Sequence, residues 1–301
     1  MKTKILFTTV IAVATILIGI VFLRKGGLPN RVIPSPNGYD DFVQAGKVPT
    51  VYASDLSLEE LQDYVKTNRP SLDLIRIGLK KNCAVSFNYS PAGFSSHVTD
   101  VMAIKAGAHL LVTEGNLAER ENRFADAAKI YVELIEYGCV SGKGGVNIDK
   151  MVSRACELMG IAALTNVVSK LQDRRFCQIT IEKLEKLNSE RESLDQADAN
   201  EQAWGRQRGL QIKTRIADFF SGQSRRIKNG LRKQMIELPL QSAQLAVIFA
   251  ARIFEIDNGR RPTKFSDLVP TYLKIIPVNP NTGKEIPFSL ELSKPTNEIL
   301  L

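Results

Sequence analysis

The chain has 301 residues, of which 24% are charged and 44% are hydrophobic. These values are ordinary for a folded globular protein and exclude a chain that is disordered throughout. Its four cysteines include no Cys-x-x-Cys pair, which argues against zinc ribbons and thioredoxin-type redox sites. The formal net charge of +8 is local, because nine basic residues stand against Asp218 alone between residues 205 and 233.

Residues 5–23 form a run of 19 residues without a charge. A helix of this length reaches about 28 Å, close to the ~30 Å thickness of the hydrocarbon core of a bilayer. A cleaved signal peptide is the alternative, but its apolar region is shorter and ends in a small-x-small site. Here the run ends in Phe22 and Leu23 and is followed by Arg24 and Lys25. We therefore expect an uncleaved transmembrane anchor within residues 1–25.

The orientation of this anchor depends on the charges that flank it. Lys2, Lys4 and the terminal amine precede the run, and Arg24, Lys25 and Arg31 follow it, so the positive-inside count is close to a tie. A tail this short usually stays inside while the rest of the chain crosses. The expected location is a single-pass membrane protein with an extracytoplasmic body on the periplasmic side.

The sequence predicts a mainly α-helical protein with four parts, of which the anchor is the first. After the anchor, Gly and Pro residues predict a linker over residues 26–55. A helical domain is expected over residues 56–235, beginning with a capping box at Ser57. Residues 236–301 are expected to form one apolar helix and a small, irregular, Pro-rich module.

Residues 101–120 and 123–137 predict two amphipathic helices. The positions that match a tetratricopeptide repeat are Gly115, Phe124, Ala127 and Tyr131. Such units present a concave face for peptides, but one copy is visible and about three are normally needed for stability. The pair is therefore interpreted as a tetratricopeptide-like hairpin or as an ordinary helical hairpin.

The cysteines allow two interpretations. Outside the cytoplasm Cys83, Cys139, Cys156 and Cys177 can form disulfides with three possible connectivities, so their disulfide state stays open. Cys156 and Cys177 are in step with apolar neighbours at helical spacing, which favours packed thiols on helix faces.

Three patterns resemble sites but lack what the chemistry requires. The stretch from Gly138 to Lys143 is one residue short of a phosphate loop and has no following Ser or Thr, so a flexible connection between helices is favoured. Ser96 precedes His97 but has no strand-turn-helix context, and His109 has no metal-ligand spacing. We expect both histidines to be structural or exposed, with no catalytic residue, cofactor or metal.

The basic stretch after residue 205 follows an acidic one, which is typical of solvated helical faces. Few aromatic residues are interleaved with the basic ones, so no nucleic acid is expected as a partner. Contact with anionic lipid headgroups is the second interpretation. The candidate residues for that contact are Arg225, Arg226, Lys228, Arg232 and Lys233.

A resemblance covers both ends of the chain. The stretches that carry it are residues 37–42 (NGYDDF), 45–46 (AG), 258–262 (NGRRP), 268–273 (LVPTYL) and 277–283 (PVNPNTG). They resemble a group of uncharacterised bacterial single-span membrane-anchored proteins, which implies architecture and no mechanism.

The C-terminal stretch is also similar to the end of type II secretion pseudopilins. Asn279 stands where those proteins carry Asp, which weakens a calcium site inferred by analogy. Residues 5–23 also lack the Gly-Phe processing point and the Glu of the mature pseudopilin helix. Assembly into a pseudopilus is therefore not expected.

The function expected from these patterns is that of a membrane-anchored, non-enzymatic interaction or scaffold protein. Its partners would be the bilayer, through residues 5–23, and another envelope protein. One alternative is an extracytoplasmic hydrolase with a dispersed site, for which Ser96 and His97 are the candidates. The other is a component of envelope or secretion assembly.

Overall fold

A computed structural model of the protein describes residues 32–86, 93–207, 223–279 and 282–292. The described residues are mainly α-helical, which confirms the fold class, and their β pairing is one isolated bridge between Val278 and Glu285. The α-helices in these ranges are α1 Gly38–Ala45, α2 Leu58–Thr67, α3 Arg69–Leu79, α4 Gly93–Arg120, α5 Phe124–Ser141, α6 Asn147–Val168, α7 Arg174–Ser189, α8 Leu194–Gln207 and α9 Gln223–Asn258. The predicted anchor at residues 5–23 lies outside the described residues.

Helices α4, α5 and α6 form the centre of this body. Helix α5 packs against α4 on one side and most extensively against α6 on the other. Helices α1, α2 and α3 cover α4, while α7 and α9 pack together and α9 also contacts α6. The apolar residues of α5 are accordingly buried almost all round, with Tyr131, Leu134, Ile135 and Tyr137 at 0% exposure.

The predicted hairpin is present as α4 and α5. A Cβ atom at Gly115 would lie 2.2 Å from Cε1 of Tyr131, so the close approach of the two helices requires glycine. Ala127 is buried beside them. Helix α4 begins well before the predicted start at residue 101, at Gly93. The tetratricopeptide identity of the hairpin stays a prediction.

The predicted linker over residues 26–55 is corrected by α1. Tyr39 and Phe42 are buried, and the Phe42 ring meets the Tyr137 ring edge-on at 4.7 Å. Asn37 caps the helix by accepting the N–H of Tyr39, and its Nδ2 donates to the carbonyl of Ala84 at 2.8 Å. Residues 38–45 are therefore part of the helical body, because the apolar residues at i and i+3 form a helix face.

The start of α2 confirms the predicted capping box. The Ser57 hydroxyl accepts the N–H of Glu60, and the Glu60 carboxylate accepts the N–H of Ser57 at 2.8 Å. Pro70 lies in the first turn of α3, where a missing N–H removes no intrahelical hydrogen bond.

Among the described helices, α6 is the one long and apolar enough to cross a membrane by length and composition. Half of its most apolar stretch is buried within the body. Its first half also carries the buried charged residues Asp149, Lys150, Arg154 and Glu157. A core helix passes the same test, so α6 is weak evidence for membrane association and says nothing about sidedness.

The predicted boundary at residue 235 falls inside α9, which continues through Pro239 to Asn258. All described helices belong to one compact unit that begins at Ile33. Gly259 ends α9 with a positive φ of 68°, as in a left-handed C-cap. The chain then forms the predicted small irregular module, with a 3₁₀ turn at Phe265–Asp267 and a tight turn at Gly283, whose φ is 66°.

Candidate functional site

His97 is buried in the second turn of α4 and is bound to the start of α6. It is 3% exposed, and its Nε2 lies 3.1 Å from Oδ1 of Asp149. Asp149 also accepts the N–H of Val146 at 2.8 Å, so one carboxylate caps α6 and holds α4. Ser96, its neighbour in the sequence, is exposed. His97 is therefore a buried histidine with an acidic partner that sequence spacing did not predict.

Asp100 is a second carboxylate near His97. Burial raises the pKa of Asp100, and the nearby His97 and Lys47 oppose that rise. His97 thus lies near two carboxylates, Asp149 and Asp100. The residues that line the cavity beside the glycine-rich loop include neither His97 nor Asp100.

His109 lies about three helical turns beyond His97 along α4 and is half-buried. The Tyr52 ring meets it edge-on at 5.3 Å. Burial and the positive charge of Lys105 lower the pKa of His109, so its neutral form is favoured. Neither Asp149 nor Asp100 contributes to this lowering of the pKa of His109.

The glycine-rich loop between α5 and α6 is fixed by side chains from α8 and the segment before it. Both oxygens of the Glu192 carboxylate accept the N–H of Gly144, at 2.7 and 2.8 Å. Lys150 pairs with Glu192 and donates to the carbonyl of Gly142, while Asn200 donates to the carbonyl of Gly144. The prediction of a flexible connection is therefore corrected. The loop is held in place, because the carboxylate of Glu192 accepts the N–H of Gly144.

A cavity of about 130 Å³ lies beside this loop. Its walls come from α5, α6, α9, the loop itself and the segment that precedes α8. We call it the basic cavity. Its lining residues are Gly138, Cys139, Gly142, Lys143, Lys150, Ser153, Arg154, Glu157, Arg191, Glu192, Leu238 and Pro239. Four of them are basic and two are acidic, so its lining has a surplus of positive charge.

One ion pair in the wall of the basic cavity is bidentate. Arg191 donates from Nη1 to Oε2 of Glu157 at 2.9 Å and from Nη2 to Oε1. Glu157 is 1% exposed, so this pair bridges α6 to the segment before α8 in a largely dry environment.

Arg154 has a different environment. It is 5% exposed, and its Nε and Nη1 have no hydrogen-bond partner among the described residues. Its Nη2 is 4.0 Å from a carboxylate oxygen of Glu237. Burial lowers the pKa of Arg154 to about 10, and Glu237 and Glu157 oppose this only in part. Arg154 is therefore a buried charge whose ion pair among the described residues, with Glu237, is a long one.

Sequence reasoning singled out the stretch from Gly138 to Lys143 but missed the other charged residues of this cavity. Lys150, Arg154 and Glu157 are spaced by four and three residues, which places them on one face of α6. This charged face within an otherwise apolar helix is the sequence signal that could have indicated a buried polar site. Its partners, Glu192 and Arg191, come from a segment interpreted as a solvated acidic face.

The predicted lipid-contact residues, Arg225 to Lys233, lie in the first part of α9. Their side chains lie outside what the structure describes, so this contact stays a prediction.

All four cysteines are free thiols. Cys156 and Cys177 are buried, which agrees with the prediction of packed thiols on helix faces. Burial raises the pKa of Cys83 and Cys156 to about 12 and of Cys139 and Cys177 to about 11. Since the thiolate is the reactive form, these shifts protect the thiols at neutral pH.

We expect alkylation of Cys156 at pH 8 to be roughly a thousandfold slower in the folded protein than in urea, because its pKa rises from 9.0 to about 12. The rate should increase as the pH approaches the raised pKa. Timed iodoacetamide labelling followed by peptide mass spectrometry measures this. Native labelling of Cys156 as fast as in urea would show that the thiol is not buried.

Within the described ranges, no group of three His, Cys, Asp or Glu side chains is placed to hold a metal ion. No protein-family model, curated protein or solved structure matches the chain. The resemblance of the chain ends to membrane-anchored proteins therefore stays a prediction.

Proposed function

We propose that the chain is a membrane-anchored, non-enzymatic interaction protein. Residues 5–23 would hold it in the bilayer, and the helical body would contact another envelope protein on the extracytoplasmic side. The proposal rests on the predicted anchor and on how the body uses its buried charged residues.

The observation that carries this proposal is the enclosure of His97. The hydrolase alternative needs His97 to reach a substrate beside Ser96, as a general base must lie within hydrogen-bond distance of the proton it removes. His97 is 3% exposed, and its Nε2 is engaged by Asp149, which also caps α6. This geometry favours a histidine that joins two helices over one that serves a substrate.

The other buried charged residues support the same interpretation. Glu157 with Arg191 and Lys150 with Glu192 each join α6 to the segment before α8. Pairs of this kind fix helices relative to one another, which gives a rigid body suited to presenting a surface.

Photo-crosslinking in native membranes tests the proposal. A photoreactive residue at Met102, Ile179 or Ile275, which are 57%, 54% and 70% exposed, should give a reproducible crosslink to a specific protein. The same residue at Leu111, which is 0% exposed, is the control and should give none. Exposed positions that capture lipid alone would count against the proposal.

The hydrolase alternative has its own test. If the protein hydrolyses ester or peptide substrates, Ser96→Ala should abolish that activity while the protein stays folded, since Ser96 is exposed. An activity that disappears in this variant would replace the interaction proposal.

A further inference from the structure

Arg154 has hydrogen-bonding capacity in the basic cavity that the described residues do not use. Its side chain is 6% exposed, and its Nε and Nη1 lack an acceptor. Burying a charged donor without an acceptor is costly, so folded proteins normally supply a partner. We propose that the basic cavity binds a small oxyanion of the phosphate class, which accepts hydrogen bonds from Arg154.

The charge of the cavity fits an anion. Lys143 and Lys150 line it together with Arg154 and Arg191, against Glu157 and Glu192. The surplus is two formal positive charges, and the more distant Glu237 reduces it to one. A bound anion would compensate this surplus where Leu238 and Pro239 form an apolar wall, which strengthens the attraction by excluding water.

The size of the cavity limits the ligand. Its volume of about 130 Å³ is below the ~300–1,000 Å³ of pockets for drug-sized ligands and above the minimum for a single water. A phosphate group fits this range, either as the free ion or as the head of a monoester. A nucleotide or a lipid tail would have to remain outside.

The neighbouring loop already holds a carboxylate of the chain itself. The Glu192 carboxylate accepts the N–H of Gly144 and pairs with Lys150 at the edge of the same cavity. The Glu192 carboxylate thus accepts hydrogen bonds from the loop N–H of Gly144 and from Lys150. The free donors of Arg154 are on α6, so the proposed anion would bind without displacing Glu192.

Thermal unfolding of the full-length protein in detergent tests the proposal. Inorganic phosphate should raise the Tm saturably above that in chloride at equal ionic strength. Arg154→Met should abolish this response. In chloride the variant should be at least as stable as the native protein, because it removes a buried charge that Glu237 and Glu157 compensate only in part. Arg174→Met, which removes the same charge from a 57% exposed side chain, is the matched control and should keep the response.

A second variant protects the test against a folding failure. Lys143→Gln changes a half-buried loop side chain in the cavity wall and should weaken phosphate binding about tenfold. If Arg154→Met does not fold, a native phosphate response that Lys143→Gln weakens supports the proposal. An unchanged response in Lys143→Gln would then overturn it.

A parallel titration with short-chain phosphatidic acid identifies the source of the phosphate group. Stabilisation by inorganic phosphate indicates the free ion, and stabilisation by phosphatidic acid alone indicates a lipid headgroup at the same site. Equal effects of phosphate and chloride, or a full phosphate response in Arg154→Met, would overturn the proposal.

Discussion

Replacing Glu157 with methionine is expected to lower the free energy of unfolding by about 3–5 kcal/mol. The Glu157 carboxylate is 1% exposed and receives both Nη1 and Nη2 of Arg191. Its removal leaves Arg191, whose side chain is 17% exposed, without its counter-ion. It also removes one of the two carboxylates whose charges support the protonated form of Arg154. Urea unfolding of the full chain, followed by helical circular dichroism, measures the loss.

A double-mutant cycle separates the ion pair from the loss of packing. Combining Glu157→Met with Arg191→Met should recover much of the loss, because two apolar side chains of similar length then fill the site of the pair. The exposed pair of Arg174 and Asp257 provides the control, since Arg174→Met should cost at most about 1 kcal/mol. If Glu157→Met costs no more than this control, the buried pair does not hold α6 to the segment before α8.

The elements that the sequence predicted well are those whose signals are local. The capping box at Ser57 needs residues three apart, and the hairpin of α4 and α5 needs apolar residues at helical spacing. Such patterns specify helices, but they do not specify which side chains meet.

The candidate site could not be predicted because its contacts join distant positions. His97 meets Asp149 across 52 residues, and Arg191 meets Glu157 across 34. The acidic stretch that contains Glu192 is typical of a solvated face, and its role at the glycine loop appears only after α5, α6 and α8 pack. Arg154 shows the same limit, because the unused hydrogen-bond donors at its Nε and Nη1 are a property of the packed body.

The segment before Ser57 differs from its predicted structure for a related reason. Its glycines and prolines are the composition of a spacer, and the eight residues of α1 are too few to give a strong periodic signal. Helix α1 is stabilised by tertiary contacts instead, since Phe42 packs on Tyr137 of α5 and Asn37 binds the carbonyl of Ala84. In a true spacer, substitutions in this segment would have no effect on the stability of the body.

Phe42→Ala is therefore expected to destabilise the body by roughly 3–5 kcal/mol, as truncation of a buried aromatic side chain does. Phe42 is 0% exposed, and its ring lies 4.7 Å from that of Tyr137, so the substitution removes both buried area and an edge-on aromatic contact. Gln44→Ala, on the exposed side of the same helix, is the matched control and should change stability by about 0.5 kcal/mol or less. Urea unfolding of the full chain compares the two variants. Equal midpoints for both would mean that α1 is not part of the core and that the spacer interpretation of this segment is right after all.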